Sequence, residues 1–398
     1  MRIVLFTFHY PPDLSAGSFR AAALVEALAK KLGNTGEIIV ITTHPNRYAS
    51  YKIKTSDKLV DGNVKIYRKR ISNHSGGMFS LALAFCCYMF YALKQSIKVK
   101  PNLLIGTTSR LMTGVLTMVS GFILRKRYYI DLRDIFSEGI SDIFSKKNKL
   151  LGSLFKKVFS YLEIKVLSKA VGVNVVSSGF PAYYQEMGMD ISNWSFFPNG
   201  VDQEFQNFKR SKSNQKQKEV TVLYAGNIGS GQGLENILPK LAKKVEGRFK
   251  FLLIGDGSTR HLLERQLRKE NVQNVEILKP VSRTDLIMFY EKADLLFLHL
   301  NDIPAFKRVL PSKIFEYAAL GKPIVAGLSG YPAKFLKEKV PHSFVFYPTD
   351  IEGCVECLTQ STECEVSIEA VRKFVSQYNR ASIMDSMAAQ LLVTASKG

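Results

Sequence analysis

Short apolar runs recur along this 398-residue chain, and many of them end at a turn that contains glycine. Longer segments with apolar residues at helical spacing lie between them. The runs fall at residues 2–8, 38–43, 64–67, 103–106, 128–132 and 171–177 in the first half and at 220–225, 249–254, 275–278, 295–300 and 324–326 in the second. Strands that alternate with helices in this way predict an α/β fold built on parallel sheets.

The length suits two domains, since compact domains usually hold about 100–200 residues. The expected N-terminal domain covers residues 1–205, and the expected C-terminal domain covers residues 219–375. A segment rich in Lys, Ser and Gln at 209–218 predicts the linker. The last residues, 376–398, belong to a helical pattern that breaks near 378–380.

The charge of the chain is strongly basic and uneven. Lys and Arg number 55 against 34 Asp and Glu, which gives a formal net charge of +21. Residues 1–200 hold 27 basic and 12 acidic residues, a balance of +15, whereas residues 201–398 hold 28 and 22, a balance of +6. The first half is therefore expected to face an anionic partner, with nucleic acid, an anionic bilayer and acidic small molecules as the choices.

The composition disfavours several other classes of protein. The chain is 46% hydrophobic and 22% charged, as in globular proteins. An apolar strand follows Met1 and Arg2 directly, which predicts no secretory signal. Cys354 and Cys357 stand without a second cysteine pair, so positions in a helix core are favoured over a zinc or redox site. No Asp-x-Asp or closely spaced histidines occur, and no metal or other cofactor is expected.

The most informative segment is the predicted helix within residues 304–323. Pro311 ends the preceding segment, Ser312 is the expected N-cap, and Gly321 ends the helix. Free N–H groups and the helix dipole at this N-terminus suit a diphosphate. Glu316 lies one turn further along the same face, where a carboxylate can bind two vicinal hydroxyls such as those of a ribose. An ordinary capped helix in an α/β domain is the alternative interpretation.

Two glycine turns in the second half are further candidates for phosphate binding. Residues 226–233 contain four glycines, and their backbone N–H groups can cradle a phosphate. This segment matches neither the Rossmann nor the Walker A pattern. The predicted strand at 249–254 runs into a second turn at Gly255 and Asp256.

Residues 304–323 resemble the nucleotide-sugar motif of the retaining GT-B glycosyltransferases of family 4. Their Pro-Ser-Lys…Glu-Tyr variant is similar to that of bacterial O-antigen and capsule transferases, including the N-acetyl-L-fucosamine transferases. The resemblance implies that Glu316 holds the ribose of a UDP-sugar donor. It places the rest of the donor site at Gly17, Gly226, Asn227, Gly229, Gln232, Gly255, Asp256, Val281 and Ser312. Gly17 falls in a loop with a Pro-Pro sequence and small residues, which is expected between the first strand and a helix that begins at about Phe19.

Two departures from the family pattern concern the donor sugar and its phosphates. Arg308 stands where the family has its first glutamate, which contacts the donor sugar. Asn227 and Gln232 stand where the glycine-rich loop usually supplies an arginine and a lysine. We therefore expect Arg308 and Lys313 to supply the missing positive charge during catalysis. The alternative is that both are surface residues.

The resemblance implies an acceptor site in the first half. The predicted strand at 128–132 is followed by the charged residues Arg133, Asp134 and Glu138. Members of the family often have catalytic groups at this point. Arg133 and Asp134 are the candidates, and a structural Arg–Asp pair is the alternative. An apolar helix at 78–93 and a lysine-rich amphipathic helix at 145–170 fit contact with anionic lipid, with a buried helix and a solvated surface helix as alternatives.

The sequence thus predicts an α/β protein of the GT-B type, with two Rossmann-like domains facing a cleft and a C-terminal helix that crosses back to the first domain. The expected activity is sugar transfer from a UDP-sugar to an undecaprenyl-diphosphate-linked saccharide in O-antigen, capsule or lipopolysaccharide biosynthesis. We expect a cytoplasmic protein bound peripherally to the inner face of the plasma membrane, with no nucleic-acid partner. The alternatives are a nucleotide-sugar 2-epimerase of the same fold and a non-catalytic protein that binds membranes or polyanions.

Overall fold

The structure is a computed structural model that describes residues 1–48, 53–71, 78–108, 111–137, 149–206 and 219–396. The predicted linker at 209–218, Glu138 and the first residues of the predicted helix at 145–170 lie outside this part of the chain. The chain divides into two compact units. The first unit comprises Met1–Asn199 and Arg380–Gly398, and the second comprises Gly200–Asn379. Residues 200–205, which the sequence analysis assigns to the first domain, thus belong to the second unit.

The first unit is built on a sheet of eight strands with the order β3-β4-β2-β1-β5-β6-β7-β8. The strands are β1 (Arg2–Phe6), β2 (Glu37–Thr43), β3 (Lys58–Asp61), β4 (Val64–Lys69), β5 (Leu103–Thr108), β6 (Arg127–Leu132), β7 (Gly172–Val175) and β8 (Trp194–Phe196). Neighbouring strands are parallel, except that β3 runs antiparallel to β4. The expectation that residues 171–177 form the last strand of this domain is wrong, because β8 pairs with β7.

Helices cover both faces of this sheet, as parallel strands require. They are α1 (Ala16–Leu32), α2 (Met78–Val99), α3 (Leu111–Leu124), α4 (Lys149–Ser168) and α5 (Pro181–Glu186). Helix α2 contacts α3, and α3 contacts α4, so these three lie side by side. Right-handed crossovers place them on one face and α1 on the other, because the chain moves from β1 to β2 in one direction and from β4 through β7 in the other.

A buried ion pair ties the first unit together. Arg20 on α1 donates two hydrogen bonds to Asp131 on β6, at 2.8 and 2.9 Å. It also donates to the carbonyl oxygens of Phe197 and Pro198, at 2.9 and 2.7 Å. Asn174 donates to the same carboxylate at 2.6 Å. This network therefore links a helix, two strands and the end of the first unit through one fully buried guanidinium.

The second unit has a parallel sheet of six strands with the order β11-β10-β9-β12-β13-β14. The strands are β9 (Val220–Asn227), β10 (Phe249–Asp256), β11 (Val275–Leu278), β12 (Leu295–His299), β13 (Ile324–Gly327) and β14 (Ser343–Phe346). The helices are α6 (Gln203–Gln206), α7 (Leu234–Lys244), α8 (Arg260–Lys269), α9 (Arg283–Lys292), α10 (Ser312–Ala319), α11 (Tyr331–Lys339), α12 (Ile351–Thr362) and α13 (Ile368–Gln377). Two apolar clusters divide the side chains of β9 between them, which indicates a three-layer α/β unit.

The last helix, α14 (Arg380–Ser396), returns to the first unit. Met384, Met387 and Leu391 of α14 are buried in one core cluster with Leu24 and Leu28 of α1. The break between α13 and α14 falls where the sequence predicts it, near residues 378–380. The predicted C-terminal helix that crosses back to the first domain is therefore confirmed.

Candidate active site

The glycine turns of the second unit meet at the carboxyl ends of β9 and β10. Gly226 pairs with Gly255, and Asn227 pairs with Asp256, so four predicted donor-site residues lie on two adjacent strand ends. Gly226 and Asn227 are thus the last residues of β9, whereas the sequence analysis places them in a loop. A side chain at Gly255 would put its Cβ 1.9 Å from the carbonyl oxygen of Gly226, and only glycine permits this close approach.

The loop after β9 is held in shape by residues of β12 and the segment that follows it. Asn227 Nδ2 donates to Gln232 Oε1 at 2.7 Å, so these two side chains face each other across Gly229. Asn301 Nδ2 donates to the carbonyl oxygen of Ser230 at 2.6 Å. Gly233 has a φ of +60°, and a Cβ there would lie 2.1 Å from Asn301 Oδ1. The loop therefore requires glycine both for its backbone conformation and for the close approach of Asn301.

His299 supports the same loop from the end of β12. Its Nδ1 lies 2.6 Å from the carbonyl oxygen of Gln232, and its Nε2 lies 3.2 Å from the backbone N of Thr349. Because a carbonyl oxygen only accepts and a backbone N–H only donates, Nδ1 carries the proton and the ring is neutral. Burial lowers the pKa of His299, which favours this neutral form.

Helix α10 begins beside the end of β9. Pro311 occupies the N-cap position and makes no side-chain cap bond, so the expectation that Ser312 caps the helix is wrong, and Ser312 is the first helical residue. Tyr317 Oη accepts a hydrogen bond from the backbone N of Ala225 at 3.1 Å and so fixes the helix against the strand. The nearest part of α10 to Gly226 is Lys313, whose Cε would lie 3.8 Å from a Cβ built on that glycine.

Glu316 lies at the centre of a hydrogen-bonded cluster. Tyr290 Oη donates to Glu316 Oε1 at 2.5 Å, and Lys313 Nζ lies 3.0 and 3.1 Å from the two carboxylate oxygens. Lys313 Nζ also donates to Tyr290 Oη at 3.1 Å. Burial opposes ionisation, but the charges of Lys313 and Arg283 outweigh it and lower the pKa of Glu316. The side chain is an ionised acceptor that remains 18% exposed.

Tyr290 and Arg283 also belong to this cluster, and neither was predicted from the sequence. Arg283 forms ion pairs with Asp202 and Glu204, and its guanidinium lies 4.9 Å from the centre of the Phe205 ring. These charges raise its pKa against the opposing effect of burial. The two residues are seven positions apart on α9, which places them on one face, and this spacing is the signal that could have identified them.

Other predicted donor-site residues have structural contacts of their own. Asp256 Oδ1 accepts a hydrogen bond from the backbone N of Gly257 at 2.8 Å. Val281 packs against the core just before α9. Arg308 lies at the end of a short 3₁₀ helix, Pro304–Lys307, and its Nη1 donates to the carbonyl oxygen of Pro304 at 3.2 Å. The structure thus brings Gly226, Lys313 and Glu316 together, while the described contact of Arg308 is with its own turn.

The acceptor-side candidates lie at the end of β6 in the first unit. The backbone N of Arg133 donates to Thr108 Oγ1 at 3.3 Å, and its buried Nε has no hydrogen-bond partner among the described residues. The side chain of Asp134 is exposed, and the charges of Arg133 and Arg47 favour its ionised form.

The segment that follows Asp134 is anchored by a buried acid. Glu163 of α4 accepts hydrogen bonds from the backbone N of Phe136 at 3.0 Å and from Ser137 Oγ at 2.7 Å. Burial raises the pKa of Glu163. Glu163 was not predicted from the sequence, because it is a single acidic residue in a lysine-rich helix.

Gly17 does not lie in the loop after β1, as the sequence analysis expects, but in the first turn of α1. The helix begins at Ala16, and the side chain of its N-cap Ser15 accepts a hydrogen bond from the backbone N of Ser18 at 3.1 Å. The Pro-Pro sequence and the small residues suggested a longer loop. The serine cap starts the helix three residues before the predicted position.

Comparisons with known proteins agree with this architecture. Residues 205–380 match the family "Glycosyl transferases group 1". The putative colanic acid biosynthesis glycosyl transferase WcaI of Escherichia coli strain K12 is 22% identical over 352 residues, which are 83% of this chain and 84% of WcaI. Sucrose-phosphate synthase from Thermosynechococcus elongatus superposes with a TM-score of 0.73 at 15% identity and 99% coverage of both chains. HepE of Anabaena, solved in complex with UDP, has a TM-score of 0.63 at 14% identity and covers 99% of this chain and 100% of its own.

The segment that matches the glycosyltransferase group 1 family falls almost entirely within the second unit, Gly200–Asn379. The structural matches extend over both units and show the GT-B fold that the sequence predicts. A GT-B glycosyltransferase is therefore the class of protein that the comparisons support. The cluster around Glu316 lies inside the matched segment.

Proposed function

We propose that this chain is a retaining glycosyltransferase of family 4 that uses a UDP-sugar donor. The proposed acceptor is a saccharide linked to undecaprenyl diphosphate, and the proposed pathway is the synthesis of O-antigen, capsule or a related polysaccharide. N-acetyl-L-fucosamine is the first sugar to test, because the Pro311-Ser312-Lys313 variant resembles that of the transferases of this sugar. The likeness to WcaI supports a role in cell-surface polysaccharide synthesis, and the UDP complex of HepE supports the choice of nucleotide.

The observation that carries the proposal is the position of Glu316. An ionised carboxylate that stays partly exposed lies one turn inside a helix whose start adjoins Gly226 and the glycine-rich loop. Backbone N–H groups of the loop and of the helix start suit the diphosphate. A carboxylate one turn away suits the two hydroxyls of a ribose. Tyr290 fixes the orientation of the carboxylate through its bond to Oε1.

The proposed reaction exchanges one bond at the anomeric carbon of the donor. The bond from this carbon to the β-phosphate oxygen breaks, and the acceptor hydroxyl oxygen bonds to the same carbon and gives up its proton. UDP leaves with additional negative charge, so positive groups near the phosphates stabilise the transition state more than the ground state. Lys313 and Arg308 are the proposed sources of that charge. Arg133 and Asp134 are proposed for the acceptor side, and the proposal includes no metal.

The donor is tested by measuring binding of UDP, GDP and dTDP by calorimetry and by thermal shift. UDP is expected to bind best, and at 100 times its dissociation constant it should add about 2.7 kcal/mol to the free energy of unfolding. Glu316→Gln should weaken UDP binding by about 1.5–3 kcal/mol, or roughly 10- to 150-fold, because it removes a charged acceptor. Glu338→Gln, on the exposed side of α11, is the matched control and should leave UDP binding unchanged.

Unaltered UDP affinity in a folded Glu316→Gln variant would remove Glu316 from the donor site. The reaction itself is tested with UDP-N-acetyl-L-fucosamine and an undecaprenyl-diphosphate-linked monosaccharide, with NMR of the new linkage to establish whether the anomeric configuration is retained. Conversion of the UDP-sugar to its C2 epimer without an acceptor would identify an epimerase instead. Binding of UDP without either reaction would leave the donor site intact and refute the proposed acceptor or sugar.

A further inference from the structure

Three neighbouring helices of the first unit expose apolar side chains to solvent. The last turn of α3 contains Phe122, which is 85% exposed, and Ile123, which is also exposed. On α2 the exposed apolar residues are Leu83, Phe90 and Ile97. On α4 they are Leu154, Val158 and Tyr161. These positions recur at spacings of seven on α2 and of four and three on α4, so each set lies on one side of its helix. We call the surface formed by these outward sides of α2, α3 and α4 the three-helix face.

The three-helix face carries no exposed acidic side chain among the described residues. Helices α2 and α3 contain neither Asp nor Glu. The one acid of α4, Glu163, is buried and binds Phe136 and Ser137. The described parts of these three helices therefore have no exposed carboxylate that would repel an anionic partner.

Basic side chains surround the apolar stripes. Lys94 and Lys98 lie exposed at the end of α2, and Lys156, Lys157 and Lys165 lie exposed on α4. The densest cluster is Arg125, Lys126 and Arg127, which are exposed directly after Phe122 and Ile123. Apolar tips beside cationic groups match a lipid surface, where acyl chains lie next to anionic headgroups.

We propose that the three-helix face binds the surface of an anionic bilayer, with Phe122 and Ile123 inserted among the lipids and the Arg125–Lys126–Arg127 cluster at the headgroups. No helix in the described part of the chain has the length and hydropathy of a membrane span, so the proposed attachment is interfacial. This inference rests on the proposed function, because a lipid-linked acceptor is the reason for the protein to bind a membrane. It extends the sequence prediction, which named helices at 78–93 and 145–170 for lipid contact, by adding α3 and the Arg125–Lys126–Arg127 cluster.

A bilayer explains the surface better than nucleic acid does. Nucleic-acid sites combine basic residues with aromatic rings that stack on the bases. Only Phe90, Phe122 and Tyr161 among the eight exposed apolar side chains of this face are aromatic, and the other five are aliphatic groups that cannot stack on bases. Lipid acyl chains bury aliphatic side chains that a helix exposes over several turns. A phosphate backbone is polar and would leave most of this apolar area exposed to water.

The test is co-sedimentation with vesicles of neutral phosphatidylcholine and with vesicles that contain 30% phosphatidylglycerol, at low and high salt. The chain should bind the anionic vesicles at least tenfold more tightly, and salt should weaken this binding because surface attraction is screened. The triple variant Arg125→Gln, Lys126→Gln, Arg127→Gln should reduce the affinity about tenfold or more. The matched control is Lys334→Gln, Lys337→Gln, Lys339→Gln on α11, which removes the same charge from the second unit and should change the affinity less than twofold.

The contribution of the apolar side chains is tested by comparing Phe122→Ser with Ile368→Ser, since Ile368 is an apolar residue of the second unit that is 64% exposed. Phe122→Ser should lower vesicle affinity severalfold even at high salt, whereas Ile368→Ser should not. Fluorescence of Trp194, the single tryptophan, verifies that the first unit remains folded in each variant. Equal losses in the α11 triple variant, or equal binding to neutral and anionic vesicles, would overturn the proposal.

Native cysteines supply a second readout of orientation. Cys86 and Cys87 are exposed on α2 beside Leu83 and Phe90, whereas Cys357 and Cys364 lie in the second unit. Anionic vesicles should slow the reaction of Cys86 and Cys87 with a water-soluble maleimide and leave Cys357 and Cys364 unaffected, as followed by peptide mass spectrometry. Protection of the second-unit cysteines alone would contradict the three-helix face. No donor is present in any of these assays, so their failure is distinguishable from failure of the proposed transferase activity.

Discussion

Two acid–base pairs in this protein have the same chemistry but different surroundings. In the first unit, the Arg20 and Asp131 side chains are 1% and 0% exposed. Four protein oxygen atoms and the sulfur of Met387 accept the hydrogen bonds of the Arg20 guanidinium. In the second unit, the Lys313 and Glu316 side chains are 25% and 18% exposed. The first pair links elements that are distant in sequence, whereas the second lies within one turn of one helix.

The difference indicates which pair is structural and which is able to exchange partners. A buried pair whose hydrogen bonds all go to protein atoms cannot release them without leaving a charge unpaired in the core. A partly exposed pair loses little when water or a ligand replaces one partner. We therefore expect Arg20–Asp131 to determine the stability of the first unit and Lys313–Glu316 to act in ligand binding and turnover.

The largest expected effect is that of Arg20→Met. The substitution leaves Asp131 buried without its cation, which should lower the free energy of unfolding of the first unit by about 3–5 kcal/mol. Urea unfolding followed by Trp194 fluorescence measures this, because Trp194 lies on β8 of the first unit. Binding of UDP should be retained wherever the variant is folded.

The paired variant Arg20→Met, Asp131→Leu sharpens this prediction. Removing both charges leaves no unpaired ion, so it should restore most of the lost stability. A loss below about 1 kcal/mol for Arg20→Met alone would place this pair in the same class as surface ion pairs.

The next effect in size concerns Lys313 and Arg308. If they neutralise the donor diphosphate, Lys313→Met and Arg308→Ala should each lower kcat about tenfold, or about 1.4 kcal/mol, with a smaller change in donor binding. Lys313→Met should cost less than about 1 kcal/mol of stability, since its ion pair is partly exposed. Steady-state turnover with the natural donor and acceptor is the measurement.

Lys339→Met, at the exposed end of α11, is the control for loss of one positive charge. Wild-type kcat in both Lys313→Met and Arg308→Ala would show that the charge of the leaving group is met elsewhere. In that case Lys313 would act in ligand binding and not in turnover, and the proposed difference between the two acid–base pairs would be limited to binding.

The smallest effect is a dependence of stability on acidic pH. Burial opposes ionisation of Asp131, but Arg20 and its other partners hold the pKa of its carboxyl below the ordinary value. The stabilisation is therefore complete above the unfolded pKa of about 3.9 and is lost as the pH falls through the lower folded value. Trp194-monitored stability should decrease in this acidic range, and the decrease should be weaker in Arg20→Met, Asp131→Leu. An identical acid dependence in that variant would assign it to other carboxylates.

Much of the fold could be predicted from the sequence, because apolar runs coincide with the strands and helix breakers coincide with the ends of helices. The strands β2, β5, β9, β10 and β12 fall on predicted apolar runs, and Gly321 ends the region of α10 as expected. Strand β3 was missed because all four of its residues are exposed, so it has no apolar run to mark it. Strand β8 was missed because it has three residues. Edge strands of this kind are specified by their neighbours in the sheet.

The candidate site was predicted less completely than the fold. Glu316 and the glycine turns were singled out from local patterns, which are a carboxylate one turn inside a predicted helix and glycines directly after predicted strands. Tyr290 and Arg283 were not found, because they reach the cluster from α9 through tertiary packing. The engagement of Lys313 with Glu316 was not foreseen either, although the two are three residues apart. Local spacing predicts which groups are neighbours, but which of them pair depends on what packs against the helix.

The return of α14 to the first unit has a consequence for how the protein is made. Met384, Met387 and Leu391 complete the core around Leu24 and Leu28, yet the ribosome adds them after the whole second unit. At typical rates of about 5–20 residues per second, the nascent first unit waits many seconds with one side of α1 uncovered. The second unit is continuous in sequence, so all of its residues are synthesised before α14 is added to the first unit. During synthesis, the part of the chain that begins first is thus the part that finishes last.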